Sequence, residues 1–203
     1  MGLEPDPPVD PSLFNDPLAE QLDWQPVRKG GDGFRTHQLE RTELHLMEIT
    51  PTRGLLLFAS AIMALPLLGM VFLLSQDDIP VFVFFFCGLA SLFGLFMLYR
   101  AKKVTVFDQR SRMCTGYFRS WGNWFPPARH IPFDQIHALQ ILRERVRSKN
   151  HNYWSYELNL VLHNGERYML MDHANQAAIR EDAQALGRML SVPVWDATRQ
   201  LEN

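Results

Sequence analysis

Two apolar stretches decide the fold of this chain: residues 54–74 read GLLLFASAIMALPLLGMVFLL, and residues 79–99 read IPVFVFFFCGLASLFGLFMLY. Each stretch has 21 residues, and neither contains an acidic or basic side chain. A helix rises about 1.5 Å per residue, so about 20 apolar residues cross a hydrocarbon core about 30 Å thick. Because only residues 75–78 connect the two stretches, we predict an antiparallel transmembrane helical hairpin.

Charged residues beside the hairpin predict its orientation. Arg53 precedes the first stretch and a basic cluster over residues 100–103 follows the second, whereas the link carries Asp77 and Asp78. Basic flanks of membrane helices concentrate on the cytoplasmic side. We therefore expect a multi-pass membrane protein with both termini in the cytoplasm.

Small residues indicate where the two helices approach each other. Ser60 and Ala64 lie four positions apart in the first stretch, and Ala90 and Gly94 do so in the second. Small side chains at this spacing allow close approach of two helix backbones in a membrane. We expect the helices to meet along these faces.

The two parts outside the hairpin carry opposite charge. Residues 1–53 hold ten acidic and five basic side chains, whereas residues 100–203 hold ten acidic and fifteen basic ones. The N-terminal part could therefore dock on the C-terminal part, or the basic part could lie on anionic lipid while the acidic part stays free. Cys87 and Cys114 lie in different environments, so no disulfide is expected.

Residues 1–33 are acidic and rich in proline. Such a composition buries too little apolar surface to offset the entropy lost on ordering, so we expect a flexible arm. A few apolar side chains interrupt it and could form either a short docking helix or a transient cluster: Leu13, Phe14, Leu18, Leu22 and Trp24. Residues 30–33 read GGDG without the neighbouring signals of a phosphate-binding loop, and we interpret them as a flexible turn.

Residues 34–53 form a short segment before the membrane. Their partial alternation of apolar and polar residues predicts either two short strands or a strand and a helix. If they are strands, they need a sheet to join, and the C-terminal domain is the available one.

Residues 100–196 predict one small domain, followed by a tail over residues 197–203. Alternating apolar residues predict strands over residues 104–107, 113–118 and 131–146. Asn164-Gly165 favours a type I′ turn because both residues tolerate positive φ. This turn would pair Leu162 with Arg167, Val161 with Tyr168, Leu160 with Met169 and Leu158 with Met171.

The last predicted element is an amphipathic helix. Asn175 suits the N-cap position, and Pro193 follows the end of the helix. Four apolar residues at helical spacing form a stripe that should dock on the sheet: Ile179, Ala183, Leu186 and Leu190.

This arrangement of antiparallel strands closed by one amphipathic helix, directly after two membrane helices, resembles the bacterial pleckstrin-homology-like (PH-like) domains of small membrane proteins. The resemblance covers about half of the chain and is carried by residues 133–136, 156–162, 164–167 and 192–196. It implies an α+β protein of the bacterial inner membrane with an antiparallel β-sandwich or barrel. It also implies binding or assembly rather than catalysis.

The sequence carries no signature of catalysis, metal binding or cofactor binding. Its seven histidines show no His-x-x-x-His pair and no nearby Cys-x-x-Cys. A nucleophile elbow, a metalloprotease helix and a Walker loop are also missing from the sequence. The positive surplus of residues 100–203 is modest, so we expect neither an enzyme nor a nucleic-acid-binding protein.

An aromatic loop is the first candidate contact site. Trp121, Trp124 and Phe125 lie between Arg119 and Arg129. Aromatic rings beside basic residues favour the headgroup layer of a membrane, so we predict an interfacial loop; core packing is the alternative.

A row of basic residues is the second candidate. Arg143, Arg145 and Arg147 alternate along a predicted strand and so share one face, and Lys149 continues the line. They could contact lipid or a partner, or form a solvated strand edge.

The third candidate is a partner face on the predicted 158–171 hairpin. Asn159, Val161, Tyr168 and Leu170 would lie on one half-apolar side that needs a cover. The N-terminal strands, a second copy or another subunit could supply it. We therefore expect a non-enzymatic accessory or scaffold subunit of a membrane complex; the alternative is an anionic-lipid-binding module at the cytoplasmic face.

Overall fold

The computed structural model of the protein describes residues 9–76, 80–101, 103–118, 129–147 and 152–201. Its four α-helices are α1 (Pro17–Gln21), α2 (Arg53–Leu73), α3 (Val81–Ala101) and α4 (Gln176–Leu190). The described strands are β1 (His37–Glu43), β2 (Leu46–Pro51), β3 (Lys103–Asp108), β4 (Met113–Phe118), β5 (Arg129–Pro132), β6 (Ile136–Arg147), β7 (Asn152–Leu162), β8 (Arg167–His173) and β9 (Val194–Asp196). The α+β class is therefore confirmed.

Helices α2 and α3 are the two apolar stretches, and both are long and apolar enough to cross a membrane. Helix α2 begins where the Thr52 hydroxyl accepts the backbone N–H of Leu55 at 3.2 Å. The Thr52 hydroxyl also donates to the Arg35 carbonyl at 2.9 Å, which ties the start of the helix to the segment before β1. Both helices keep most of their apolar side chains exposed, as expected for a lipid-facing pair.

The two helices are in close backbone contact at Gly94. A Cβ atom there would lie 2.5 Å from the Met63 backbone nitrogen, so only glycine fits. The prediction for Gly94 is confirmed. The most buried small residues beside it are Ala59 and Ser91, one position away from the predicted Ser60 and Ala90.

The helical hairpin is inserted between two neighbouring strands of one sheet. The first sheet has the antiparallel order β1-β2-β3-β4-β5. Strand β2 ends just before α2, β3 begins just after α3, and the two strands pair directly, with Ile49 opposite Thr105. The segment over residues 34–53 thus joins the sheet of the C-terminal part, and the domain begins well before residue 100.

The second sheet has the order β8-β7-β6-β9, with β9 parallel to β6. Its inner face, the two-sheet core and α4 share one apolar cluster. Ile179, Ala183 and Leu186 of α4 are fully buried in it, and Asn175 caps the helix by accepting the Ala178 N–H at 3.0 Å. The predicted amphipathic helix is confirmed.

The turn between β7 and β8 differs from the predicted type I′ turn. Gly165 has a φ of +83°, whereas Asn164 does not adopt a positive φ. The Leu162 N–H donates to the Glu166 carbonyl at 2.9 Å, so the loop is longer than two residues. Val161 therefore pairs with Arg167 and Leu160 with Tyr168, one position away from the predicted pairs, while a bulge restores the predicted Leu158–Met171 pair.

Candidate functional site

Residues 9–33, called the arm below, lie along the outer face of the second sheet. Asp10 caps a 3-10 turn over Pro11–Phe14, and Asp16 caps α1 by accepting the Leu18 N–H. The Phe14 ring stacks on Trp24 with centroids 4.8 Å apart, and each ring lies 6.2 Å from Trp195. Residues 9–33 of the expected flexible arm are thus folded against the sheet, because Phe14, Leu18, Leu22 and Trp24 pack in one cluster with Trp195.

The middle of the arm is held by a buried carboxylate. Glu157 on β7 is only 4% exposed and accepts the backbone N–H groups of Val27 and Arg28 at 2.8 and 3.0 Å. The side-chain amide of Asn159 donates a third bond to it at 2.7 Å. A buried carboxylate with several N–H donors is well stabilised, so the backbone of the arm completes the environment of Glu157.

The glycine segment at residues 30–33 packs tightly on the same sheet, in contrast to the predicted flexible turn. The Gly30 N–H donates to Glu144 at 2.9 Å, and the Tyr153 hydroxyl donates to the Gly31 carbonyl at 2.9 Å. A Cβ atom on Gly31 would overlap the Ser155 hydroxyl and lie 2.7 Å from its Cβ. The small size of Gly31 is therefore what lets the arm approach the sheet.

The arm changes the interpretation of the predicted partner face. Val161 is fully buried in a cluster with Ala19 of the arm and Trp195 of β9, so it is not open to another protein. Tyr168 and Leu170 pack against the inner cluster instead, because the β7–β8 register differs from the predicted one. The cover that this face needs comes from the same chain.

A histidine pair lies beside the first turn of the arm helix. His137 Nε2 is 2.8 Å from the Asp16 carboxylate, and its Nδ1 is 3.0 Å from Nδ1 of His163. Burial acts to raise the pKa of Asp16, but hydrogen bonds from His137 and from the Leu18 backbone outweigh it and lower that pKa. Sequence reasoning missed this group because its members come from three distant segments.

The predicted basic row lies on the long β6–β7 hairpin. The Arg143 and Arg145 guanidinium carbons lie 4.4 and 5.5 Å from the centre of the Trp154 ring, so both arginines make cation–π contacts within the domain. Arg147 is exposed at the end of β6. Lys149 lies outside the described residues.

The predicted aromatic loop, with Trp121, Trp124 and Phe125, also lies outside the described residues. The strands on either side of it are described: Phe118 at the end of β4 pairs with Lys103, and Arg129 at the start of β5 pairs with Gly116. Strand β4 therefore ends, and β5 begins, at the same end of the first sheet as the start of β3, which follows α3.

A small cleft opens between the two sheets at this same end of the first sheet. We call it the hairpin-side cleft; it has a volume of about 70 Å³, and its walls include Lys103, Gly116, Arg129, Ile131, Leu160 and Tyr168. The Arg129 guanidinium lies 3.9 Å from the centre of the Tyr168 ring, whose hydroxyl donates to Glu166 at 2.6 Å. The pKa of Lys103 is lowered by burial and by the neighbouring charges of Arg129 and Arg100.

Two buried titratable residues with opposite shifts lie where the arm passes β8. Burial and the nearby Asp32 charge raise the pKa of Asp172 to about 6. Burial and the charges of Arg35 and His37 lower the pKa of His173 to about 4. The His173 ring is fully buried and accepts the Asn175 N–H at Nδ1, so it is a structural group.

Cys114, the cysteine outside the two apolar helices, is buried. Burial raises the pKa of the Cys114 thiol to about 12, which keeps it protonated and a poor nucleophile. Within the described ranges, no group of three or more His, Cys, Asp or Glu residues is placed to hold a metal ion. No protein family model matches the chain, and no curated protein matches it significantly.

Proposed function

We propose that this protein is a non-enzymatic membrane protein whose helical hairpin holds a PH-like domain at the membrane surface as an accessory or scaffold subunit of a larger complex. One observation carries the proposal: α2 and α3 are inserted between the paired strands β2 and β3. Few residues separate either helix from its strand, so the position of the domain is coupled to the hairpin itself.

The location is part of the same proposal. Pairing of β2 with β3 requires both flanks of the hairpin to be on one side of the membrane, in agreement with two crossings. The basic residues Arg53, Arg100 and Lys103 at these flanks favour the cytoplasmic face, and the resemblance favours the inner membrane of a bacterium. The partners would be the lipid bilayer and either other subunits or further copies of this chain.

The test is the mass of the particle formed in native lipid. Full-length protein extracted directly into lipid nanodiscs should be recovered with a stoichiometric second subunit or as a homo-oligomer. The control is a chain in which residues 52–102 are replaced by Asn-Gly, a turn suited to joining antiparallel strands such as β2 and β3. It should be soluble and monomeric. A monomeric full-length particle would contradict the proposal.

Anionic-lipid contact is a second candidate function, and a specific observation favours it. Three cations, Arg100, Lys103 and Arg129, lie near one another at the end of the first sheet that follows α3. A basic residue beside an anionic membrane contributes about 1 kcal/mol of binding, reduced by salt. In nanodiscs, hydrogen exchange near residues 103–105 and 129–131 should slow when phosphatidylglycerol is included, and this change should weaken at high salt. Exchange indifferent to lipid charge would reject the idea.

A further inference from the structure

The hairpin-side cleft combines a narrow apolar interior with two cations at its walls. Ile131 and Leu160 contribute apolar surface between the sheets, and Lys103 and Arg129 contribute the charges. A volume of about 70 Å³ has room for a few water molecules or one phosphate group, but is too small for a whole lipid headgroup with its acyl chains. The cleft therefore suits a small anionic group that enters from outside.

The cations of the cleft lie close enough together for their charges to interact. Among the described residues, Lys103 forms no ion pair, and Arg129 is held by its contact with the Tyr168 ring. The Glu166 carboxylate accepts the Tyr168 hydroxyl, and its pKa is lowered by hydrogen bonds from Tyr168 and Asn164 and by the charge of Arg129, so this carboxylate partly balances Arg129. The single carboxylate of Glu166 is outnumbered by Lys103, Arg129 and Arg100, so an added anion would reduce the repulsion among these three cations.

The position of the cleft indicates the source of that anion. Lys103 opens β3 two residues after α3 ends at Ala101. If α3 crosses the bilayer, Lys103 lies at the level of the headgroups of the leaflet on the domain side. Lipid phosphates are then the most concentrated anions within its reach.

We propose that the hairpin-side cleft binds the phosphate of an anionic phospholipid from the adjacent leaflet, with Lys103 as a point charge and the Arg129 guanidinium as a forked donor. Arginine matches phosphate oxygens with paired N–H groups, while lysine adds charge without fixed geometry. This site rests on the proposed membrane anchoring, but it does not depend on a protein partner. It also differs from the basic row at Arg143, Arg145 and Arg147.

Gly116 provides a way to block the cleft without removing a charge. It lines the cleft, and a Cβ atom there would meet no other heavy atom within 4 Å. Gly116→Val should therefore fold, since valine suits a strand, while its side chain occupies the space that the phosphate needs. Binding that depends only on surface charge would be unchanged by this variant.

The experiment measures protection of the Lys103 amine in full-length protein in nanodiscs. A neutral acylating reagent labels accessible lysines, and mass spectrometry gives the ratio of labelling at Lys103 to that at Lys29, which is exposed in the arm. Nanodiscs contain phosphatidylcholine alone, phosphatidylcholine with phosphatidylglycerol, or phosphatidylcholine with added inorganic phosphate. Arg129→Gln and Gly116→Val are the test variants, and Arg110→Gln is the control, an exposed cation at the opposite end of the β3–β4 hairpin.

Phosphatidylglycerol should lower the labelling ratio about tenfold, which corresponds to about 1.4 kcal/mol. Both test variants should lose this protection, while Arg110→Gln keeps it. Protection that survives Gly116→Val would overturn the pocket in favour of diffuse attraction to the surface. Equal protection by inorganic phosphate would overturn the lipid as the source, and protection by neither anion would overturn the site. A monomeric particle would contradict the scaffold proposal alone, so the two failures are distinguishable.

Discussion

Two surfaces of the domain differ in whether the chain covers them: the outer face of the second sheet is covered, and the hairpin-side cleft is open. The outer face holds acidic groups, Glu157 and Asp172, and the chain closes it with its own arm. The cleft holds cations, Lys103 and Arg129, and the described chain leaves it open. The same face also carries Arg167 and His137, which contact Asp23 and Asp16 of the arm, so the arm docks through ion pairs as well as through backbone N–H groups and aromatic rings.

The largest expected effect comes from removing the arm. Deletion of residues 1–33 exposes Val161 and Trp195 and leaves Glu157 without two of its donors. We expect a loss of several kcal/mol in the opening free energy of β7, since truncating one buried aromatic side chain already costs about 3–5 kcal/mol. Hydrogen exchange of the full-length and shortened chains in nanodiscs measures this.

The matched control for that deletion removes residues 1–8 only and leaves every described contact of the arm in place. It should exchange like the full-length chain. If the longer deletion left β7 equally protected from hydrogen exchange, the arm would not contribute to the stability of this face.

The next effect comes from a single methyl group at Gly31. In Gly31→Ala the new Cβ overlaps the Ser155 side chain, and overpacking of this kind costs about 1–3 kcal/mol. Adding Ser155→Gly removes the overlapped atoms and should restore part of the stability, although Asp172 Oδ2 remains 3.1 Å from the added Cβ. Exchange rates of Tyr153 and Ser155 report the result, and a double variant no better than the single one would contradict the steric explanation.

A third prediction concerns pH. Folding raises the pKa of Asp172 from 3.8 to about 6, so its contribution to stability is present at low pH and is lost as the pH rises through that range. Folding lowers the pKa of His173 from 6.5 to about 4, so its contribution is present at neutral pH and is lost on acidification. The two changes fall in nearly the same window with opposite signs and should largely offset each other.

Asp172→Asn should separate them. The variant should be more stable than the natural chain at pH 7 by about 3 kcal/mol, because the pKa of Asp172 is raised from 3.8 to about 6 and one pKa unit corresponds to about 1.4 kcal/mol. It should then lose stability between pH 6.5 and pH 4, where the natural chain changes little. Urea unfolding followed by tryptophan fluorescence gives both curves, and parallel curves would show that the two groups are not coupled to folding in this way.

The smallest effect is expected at Asp16. Asn at this position keeps the cap on α1 but loses the charge that faces His137, so Asp16→Asn should cost about 1 kcal/mol or less of arm docking. The measurement is the exchange of the Leu18 and Ala19 amides at pH 6. The lowered pKa of Asp16 means that the natural contact weakens only at acidic pH, so the difference from Asp16→Asn should vanish there. A constant difference would assign the effect to the cap.

Sequence reasoning succeeded where the signal is local and periodic. A single element explains each signal: a continuous apolar run for α2 and for α3, and the helical spacing of Ile179, Ala183 and Leu186 for α4. It failed where the deciding contact is distant. For residues 34–53 it predicted that any strands would join the sheet of the C-terminal domain, which is confirmed, but it could not identify the pairing of Ile49 with Thr105 across the hairpin.

The docking of the arm on the second sheet was hard to predict for a related reason. Its prolines and acidic residues predict disorder, and the stacking of Phe14 on Trp24 becomes stabilising only beside Trp195, far away in the chain. The β7–β8 turn shows a smaller limit. Asn164-Gly165 suits a two-residue turn, but only Gly165 adopts positive φ, and the register shift that follows decides which way Tyr168 faces.

The insertion of the hairpin between β2 and β3 also dictates an order of events during synthesis. Strand β2 leaves the ribosome before the hairpin and β3 after it. If α2 and α3 cross a membrane as proposed, the first sheet can close only once both helices have entered it and the chain has returned. A chain that crossed the membrane only once would leave its two halves in different compartments, each with unpaired β-strand edges exposed. Under the proposed topology, closure of the first sheet would therefore require both crossings, and a chain inserted only once would present open strand edges to proteases and chaperones.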